Sequence, residues 1–361
     1  MTCSTRRQTH RPECLDATLG PDPDSFSGVD FDHLARLLAV DDLAQRLDTV
    51  ERRLSKSLLV DDAVLGVPSA RMAGAGGKRL RPVLVIAAAN TVDVFNDKVV
   101  AGSAAVELVQ VGSLVHDDIF DKAATRRGIP TINYTDGDEA AILAGDFILA
   151  RAGVEAAQVS AEGARILART VVELCIGQHQ ETHQLHDLGR TVEDHFASIE
   201  AKTASLFDVS ARIGGIAAGL PAAQIDALGR FARSFGMAFQ IVDDILDLIA
   251  DPVRLGKPVG SDLRAGVYTL PVLTAFETDR GEELRQMLEG DVDEDVSSEA
   301  SYVVRHSGGI EHALSIALGY ENEAVDALED LPDHPTVNGL RRLPSEYRIW
   351  ALMTLADGLF V

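Results

Sequence analysis

The chain has 361 residues, of which 46% are hydrophobic, so it can bury a substantial core. Asp and Glu total 56 against 33 Lys and Arg, which gives a formal net charge of −23 at pH 7. This balance argues against general nucleic-acid binding, because that affinity comes from counterions released at Lys and Arg. A phosphate-bearing substrate would need cations concentrated locally, from clustered basic side chains or from bound metal.

The cysteines and the hydropathy pattern indicate a cellular location. Cys3, Cys14 and Cys175 show no paired spacing and no metal-knuckle pattern, which is typical of a reducing compartment. No segment approaches the uninterrupted apolar length of a membrane span. We therefore predict a cytoplasmic protein without a transmembrane segment.

The pattern along the chain separates a polar tail from one apolar domain. Residues 1–28 mix Pro, Ser, Asp and Arg without a period, which indicates a flexible N-terminal tail. Residues 29–361 are dominated by Ala/Leu/Val-rich stretches in which apolar positions recur at intervals of three and four. The sequence shows no sustained alternation and no Asn-Gly pair placed between two strand-like runs, which would signal a hairpin. We therefore predict an all-α domain.

Two acidic motifs echo each other, HDDIFD at 116–121 and VDDILD at 242–247. On a helix, positions i and i+4 share one face and position i+1 lies beside them. Such a cluster of carboxylates suits a hard cation, and Mg²⁺ recruits substrate phosphates as further ligands. The predicted metal ligands are Asp117, Asp118, Asp121, Asp243, Asp244 and Asp247.

Each motif could instead be an exposed acidic helix end, and a single copy would leave that reading open. Two copies, each following an apolar helical run and each followed by basic residues, favour a pair of facing clusters that clamp a diphosphate through metal ions.

Basic residues stand near both motifs. The segment GGKRLRP at 76–82 places Lys78 and Arg81 after a Gly-rich loop, near a helix start that favours anions. Arg126 and Arg127 follow the first motif, and Lys202, Thr203 and Lys257 flank the second. Each one alone could be an ordinary surface charge, so the prediction of a diphosphate site depends on their arrangement around the aspartates.

Ordered motifs of this kind resemble the trans-prenyl diphosphate synthase (polyprenyl synthetase) family over nearly the whole chain after the tail. The matching segments are GGKRLRP at 76–82, DDIFDKAATRRGIPT at 117–131, GDFILARA at 145–152, KT at 202–203, FQIVDDILD at 239–247, GKPVGSD at 256–262 and TLP at 269–271. The resemblance implies a single isoprenoid-synthase-type helical bundle around a central cavity, usually a homodimer.

The resemblance also implies roles for individual residues. The six motif aspartates would hold several Mg²⁺ ions that grip an allylic diphosphate, with Asp117, Asp118, Asp121, Asp243, Asp244 and Lys202 as the catalytic group. Arg126, Lys202 and Lys257 would contact that diphosphate directly. Lys78, Arg81, Arg127 and Gln110 would hold isopentenyl diphosphate, and Thr203 and Gln240 would line the reacting region.

The implied reaction ionises the allylic C–O bond, joins the carbocation to the isopentenyl double bond and then releases a proton. Metal and cations stabilise the departing diphosphate. In two places the sequence departs from the resemblance. Val267 follows Gly266 where relatives often carry a Lys, and the C-terminus, ADGLFV at 356–361, lacks a basic tail.

Small residues before the first motif bear on product length. Gly112 and Ser113 stand five and four residues before Asp117, where farnesyl-making relatives place bulky aromatics. We therefore predict an open cavity floor and a geranylgeranyl or longer product, with Leu108 and Val109 one turn deeper as the next candidates for a stop. The alternative is that Gly112 and Ser113 permit close helix packing.

Two other functions remain open from the sequence. A class I terpene synthase would ionise a diphosphate in the same way but cyclise a single substrate, and it needs no isopentenyl site. A regulatory subunit would retune an active partner, but such a chain is expected to lose one aspartate cluster, and here both are intact.

Overall fold

The computed structural model describes residues 31–62, 64–250 and 259–356. These residues are almost entirely helical, and the strands among them are Thr125–Arg126 and Ile129–Pro130, which pair as an antiparallel hairpin. The all-α prediction is therefore confirmed. In chain order the α-helices are α1 (Phe31–Leu38), α2 (Leu43–Ser57), α3 (Gly66–Gly74), α4 (Leu80–Asn90), α5 (Asp97–Phe120), α6 (Ile132–Asp136), α7 (Asp138–Val159), α8 (Ala161–His183), α9 (Val192–Ile199), α10 (Ser205–Ala218), α11 (Ala222–Ile249), α12 (Ser261–Arg264), α13 (Leu270–Ala275), α14 (Gly281–Leu288), α15 (Glu294–Arg305), α16 (Gly309–Asp326) and α17 (Pro335–Leu355).

Side-chain caps fix where two of the long helices, α5 and α8, begin. Asn96 Oδ1 accepts a hydrogen bond from the Val99 amide at 3.0 Å at the start of α5. Ser160 Oγ accepts from the Gly163 amide at 2.9 Å between α7 and α8. These bonds satisfy amides of the first turn that have no partner inside the helix. Helix α8 therefore begins immediately after α7 ends.

Helix α5 is the central helix of the bundle and packs against α4, α7 and α10. Among the described residues it is the one helix long and apolar enough to span a membrane, but 78% of its most apolar window is buried within the protein. A helix that is apolar on all sides is expected at the centre of a large bundle. We therefore interpret α5 as a core helix.

Glycines allow close contacts at two helix crossings. A Cβ at Gly214 of α10 would overlap the Val85 carbonyl of α4. A Cβ at Gly145 of α7 would overlap the ring of His116 on α5, whose Nε2 lies 3.3 Å from the Ile142 carbonyl oxygen. These contacts set the spacing of the helices around α5.

One hydrophobic core extends from Leu34 to Ala356 and unites the described residues into a single helical unit. Both acidic motifs lie at the C-terminal ends of long helices, the first on α5 and the second on α11. The predicted tail, residues 1–28, lies outside the described residues, so the domain boundary stays a prediction.

Candidate active site

The three aspartates that end α5 divide between a cavity and a buried ion pair. Asp117 and Asp121 both line the cavity. Asp118 is 1% exposed and accepts from Arg126, with Nε 2.8 Å and Nη2 2.6 Å from its Oδ1. Asp118 therefore holds Arg126, on the β-hairpin that follows the helix, close to the cavity that Asp117 and Asp121 face.

Burial makes this end of α5 electrostatically unfavourable for carboxylates. Burial raises the pKa of Asp117 to about 6; Lys202 opposes the shift, and the charge of Asp121 adds to it. Burial also raises the pKa of Asp121, against the charges of Arg126 and Lys202. Because both carboxylates are destabilised when ionised, a cation placed between them would be strongly attracted.

In the second motif, Asp244 is the aspartate that faces the cavity. It is 3% exposed, and its Oδ1 accepts from Gln240 Nε2 at 2.9 Å. On its other side His195 Nε2 lies 3.1 Å from Asp244 Oδ2 without hydrogen-bond geometry. Asp244 Oδ2 is thus a buried oxygen that lies beside His195 and accepts no hydrogen bond of good geometry from the described residues.

Asp243 and Asp247 do not line this cavity. Asp247 is buried and accepts from the Ser261 hydroxyl and, at 3.1 Å, from the Asp262 amide, so it anchors the start of α12. Asp243 is half-buried, and its charge contributes to raising the pKa of Tyr347 on α17, after burial. Their predicted role as metal ligands stays a prediction.

The cavity between the two motifs has a volume of about 530 Å³ and an acidic lining. Two cationic side chains, Arg126 and Lys202, reach it from the described residues. The carboxylates that line it are Asp117, Asp121, Glu181, Asp244 and Asp262. With five carboxylates against two cations on the described lining, a diphosphate would be repelled unless metal ions entered with it.

The described side chains fit a metal that shares its ligands with substrate and water. No three carboxylate, imidazole or thiolate groups in this part of the chain gather closely enough to cage an ion alone. Mg²⁺ is usually held by one or two carboxylates, several waters and substrate phosphates. Asp117 and Asp121 on one wall and Asp244 on the other supply that kind of donor set.

A π-helical turn, Glu200–Ala204, brings Lys202 and Thr203 into the cavity wall. Lys202 Nζ donates to Glu181 on α8, and Thr203 Oγ1 donates to Gln240 Oε1 at 2.8 Å. Gln240 in turn donates to Asp244, so the predicted residues Thr203, Gln240 and Asp244 form one hydrogen-bonded chain. Such π-turns inside helices occur frequently at functional sites.

The other predicted basic residues form a separate group outside the 530 Å³ cavity. Lys78 Nζ lies 5.6 Å from the ring centroid of Phe239 and 5.5 Å from those of Tyr347 and Trp350. Arg81 Cζ lies 5.0 Å from the centroid of Phe207. Aromatic faces attract such cations.

Arg127 belongs to the same basic group and contacts the loop that carries Lys78. Its Nη1 donates to the Gly76 carbonyl, and a Cβ at Gly77 would lie 2.6 Å from its Cζ. Gly77 has a φ of +129°, in the range that favours glycine. Gln110 is half-buried on α5, and its carbonyl accepts from Ser113.

The four predicted chain-length residues occupy different environments on α5. Leu108 and Val109 are completely buried. A Cβ at Gly112 would lie 3.0 Å from Leu149 Cγ on α7, so close helix packing accounts for this glycine. Ser113 is half-buried, and its Oγ donates to the Gln110 carbonyl at 3.0 Å. The open-floor prediction therefore rests on Ser113 more than on Gly112.

The segment that follows α11 contains two residues singled out in the sequence. Val267, which follows Gly266 in place of the Lys that the family resemblance leads us to expect, lines the cavity. Lys257, predicted to contact the allylic diphosphate, lies outside the described residues, so its role stays a prediction.

Three residues with direct contacts at these sites were not among the predicted site residues. Glu181 pairs with Lys202, His195 lies against Asp244, and Arg79 is buried beside Lys78. Glu181 stands three residues after Gln178, which also lines the cavity, and this helical spacing could have identified it. No sequence spacing points to His195 or Arg79, and only their contacts in the folded chain place them at these sites.

Comparison with known proteins agrees with this fold and cavity. The sequence model of the polyprenyl synthetase family matches residues 62–304. A nonaprenyl diphosphate synthase of Mycobacterium tuberculosis is 35% identical over 298 residues, which cover 81% of this chain and 89% of that protein. A geranylgeranyl diphosphate synthase of Methanosarcina mazei is 33% identical, over 82% of this chain and 93% of that one.

Solved structures give the same result. A polyprenyl synthase from Caulobacter crescentus, complexed with calcium and isoprenyl diphosphate, superposes with a TM-score of 0.81 at 31% identity, over 90% of this chain and 98% of that one. A decaprenyl diphosphate synthase from Rhodobacter capsulatus has a TM-score of 0.80 at 29% identity, over 90% and 99%. The chain thus has the all-helical isoprenoid synthase fold, and it belongs to the polyprenyl synthetase family. The predicted family, fold class and transferase activity are confirmed.

Proposed function

We propose that this chain is a trans-prenyltransferase that condenses isopentenyl diphosphate with an allylic diphosphate to give a geranylgeranyl or longer prenyl diphosphate. The observation that carries the proposal is the acidic cavity between the two motifs, lined by five carboxylates and two cations of the described residues. Related chains of similar length are named geranylgeranyl, octaprenyl and nonaprenyl diphosphate synthases.

In the proposed reaction, Asp117, Asp121 and Asp244 would hold Mg²⁺, which would supply positive charge to the allylic diphosphate and improve it as a leaving group. Lys202 and Arg126 supply further positive charge on the same side, where negative charge develops on the departing oxygens. Thr203 and Gln240 orient Asp244 through their hydrogen-bonded chain. Leu114, Ile199 and Val267 belong to the apolar part of the described lining and would exclude water from the allylic carbocation.

The isopentenyl diphosphate is assigned to the basic group of Lys78, Arg81 and Arg127, together with Gln110. Arg81 and Arg127 supply guanidinium forks that match diphosphate oxygens. The pKa of Arg81 is lowered to about 10, chiefly by burial; the charge of Glu107 opposes the shift, and the charge of Arg127 contributes to it. Concentrated positive charge of this kind favours a dianionic or trianionic ligand.

The experiment that tests this proposal is incorporation of labelled isopentenyl diphosphate with each short allylic diphosphate, in Mg²⁺ and in EDTA. We expect incorporation that requires Mg²⁺ and falls by about 10³-fold or more in Asp117→Asn, because an electrostatic contribution to the transition state is removed. Asp146→Asn, on the exposed side of α7, is the matched control and retains activity. Metal-independent incorporation would contradict the proposal.

The alternative is that this chain is the catalytic component of an enzyme that needs a second, different chain for activity. The name of one relative favours this alternative. A relative that is 33% identical, over 83% of this chain and 94% of its own, is named heptaprenyl diphosphate synthase component 2. Turnover by the purified single chain supports the main proposal, whereas turnover only in the presence of another chain supports the alternative.

We also propose that the protein is a cytoplasmic homodimer. The support for the dimer is an apolar surface on α7 and α8, where Ile142, Leu143, Val154, Val172 and Ile176 are 48–59% exposed. Clusters of exposed aliphatic residues mark association sites. Val172→Glu is expected to give a monomer by light scattering, and an unchanged mass would place the interface elsewhere. The cytoplasmic location is supported by the unpaired cysteine pattern.

A further inference from the structure

Arg79 is a buried arginine between two residues assigned to the isopentenyl diphosphate site, Lys78 and Arg81. It is 3% exposed and has a φ of +48°, a left-handed conformation that is costly for a residue with a side chain. Its side chain points into the bundle, whereas that of Lys78 points to the aromatic group on α11 and α17. Such a strained, buried residue next to a binding site calls for a functional explanation.

All three nitrogens of the Arg79 guanidinium donate hydrogen bonds, four in total among the described residues. Nε and Nη2 donate to the two carboxylate oxygens of Glu51 at 2.6 and 3.1 Å. Nη1 donates to Glu107 Oε1 at 2.5 Å, and Nη2 also donates to the Ala73 carbonyl at 2.7 Å. Glu51 is 9% exposed and Glu107 is 2% exposed, so the network is shielded from water. A single side chain thereby connects α2, α3 and α5 to the residue that precedes α4.

A buried ion pair of this kind is weak evidence for stability, because removing charges from water offsets most of their attraction. Its geometric effect is stronger. The fork–fork contact with Glu51 fixes the direction of the Arg79 side chain, and so restricts the backbone of the 76–81 loop. Arg127 holds the same loop from outside through the Gly76 carbonyl.

We infer that Arg79, held by Glu51 and Glu107, is a positioning residue that presents Lys78 and Arg81 to the diphosphate of the homoallylic substrate. The inference rests on the proposed function. Arg79 itself does not reach the ligand, and Glu51 reaches the site through Arg79. Loosening the network therefore reduces the preorganisation of one diphosphate site and leaves the other site, at Lys202 and Arg126, unaffected.

The test measures KM for each substrate separately, with kcat, in Arg79→Lys and in Glu51→Gln. Arg79→Lys keeps the charge but loses the fork, and we expect KM for isopentenyl diphosphate to rise about tenfold, as for loss of one charge-assisted hydrogen bond. KM for the allylic diphosphate is expected to stay within about twofold. In Glu51→Gln, KM for isopentenyl diphosphate is expected to rise by a smaller factor. This second variant keeps the inference testable if Arg79→Lys does not fold.

Arg53→Lys is the matched control. Arg53 lies on the same helix as Glu51 and donates to the buried Glu155 at 2.8 Å, away from the 76–81 loop. We expect both KM values to be unchanged in this variant. The inference is overturned if KM for isopentenyl diphosphate is unchanged in Arg79→Lys and Glu51→Gln, if both KM values rise together, or if Arg53→Lys gives the same selective rise.

Failure of the proposed function would be distinguishable in the same experiment. Wild-type protein that incorporates no isopentenyl diphosphate with any allylic primer contradicts the proposed reaction, and the inference with it. Wild-type turnover with unchanged variant KM values contradicts the inference alone.

Discussion

At the scale of single residues, the sequence position of a carboxylate does not determine its environment. Asp117 and Asp118 are neighbours, yet Asp117 lines the cavity while Asp118 is buried against Arg126. The helical period places them about 100° apart, which the sequence could predict. The sequence could not predict that the β-hairpin would return Arg126 to Asp118, because that contact depends on the tertiary fold.

The pKa of Asp117 gives a prediction for the metal-free protein. A folded pKa of about 6 lies above the ordinary value of 3.8, so protonation favours the folded state. This contribution to stability is fully present below about pH 4 and is lost as the pH rises through about 6. In EDTA, Asp117→Asn is therefore expected to resist urea better than wild type at about pH 8, with a smaller difference at about pH 5.

Asp146→Asn serves as the control for this measurement because Asp146 is 68% exposed at its side chain, and its midpoint should follow wild type. Equal urea midpoints for wild type and Asp117→Asn at both pH values would contradict the assigned environment of Asp117.

Ser113 gives the residue-scale prediction about product length. Ser113→Phe adds an aromatic ring one helical turn before Asp117, and we expect shorter products because the ring reduces the depth available to the growing chain. Chromatography of the dephosphorylated products measures this change. Ser113→Ala keeps the side chain small and should leave the product distribution as in wild type. An unchanged distribution in Ser113→Phe would show that another helix limits chain length.

At the scale of elements, glycine determines how closely α5 and α7 approach. The period of apolar residues predicted a helical domain, but no property of the sequence indicated which glycine faces a neighbouring helix. Gly145 faces His116, whereas a Cβ at Gly153, two turns later on the same helix, would meet nothing within 4 Å. The π-helical turn Glu200–Ala204 is a similar case, since local propensity does not specify it.

These two glycines form a matched pair for a stability measurement. Gly145→Ala is expected to lower the free energy of unfolding by about 1–3 kcal/mol because the new methyl overlaps the His116 ring. Gly153→Ala is expected to raise it by about 0.5–1 kcal/mol, since alanine restricts the unfolded chain and fits the helix. Urea unfolding measures both, and a stabilising Gly145→Ala would be incompatible with the described α5–α7 contact.

At the scale of the whole molecule, the ordered motifs predicted the fold class and the family, and both are confirmed. The sequence succeeded here because the two acidic motifs each end a long apolar helix, so the position of the carboxylates follows from the helix boundaries. The family resemblance implied that the basic residues form two groups, whereas the pattern of basic residues along the chain did not by itself separate them. Lys202 and Arg126 line the acidic cavity, while Lys78 and Arg81 pack on aromatic rings elsewhere.

Under the proposed function, this division would give each of the two diphosphates a site of its own. A net negative cavity accepts an anion together with metal ions, whereas a basic group accepts an anion without them. We therefore expect binding of the allylic diphosphate to depend on metal ions and binding of isopentenyl diphosphate to depend on them less. Measuring this difference would test which site each substrate occupies.

The most direct test of the central claim is identification of the product that purified protein makes with farnesyl diphosphate and Mg²⁺, with and without isopentenyl diphosphate. We predict a linear prenyl diphosphate longer than farnesyl that forms only when isopentenyl diphosphate is present. A cyclic hydrocarbon formed from farnesyl diphosphate alone would contradict the proposed reaction.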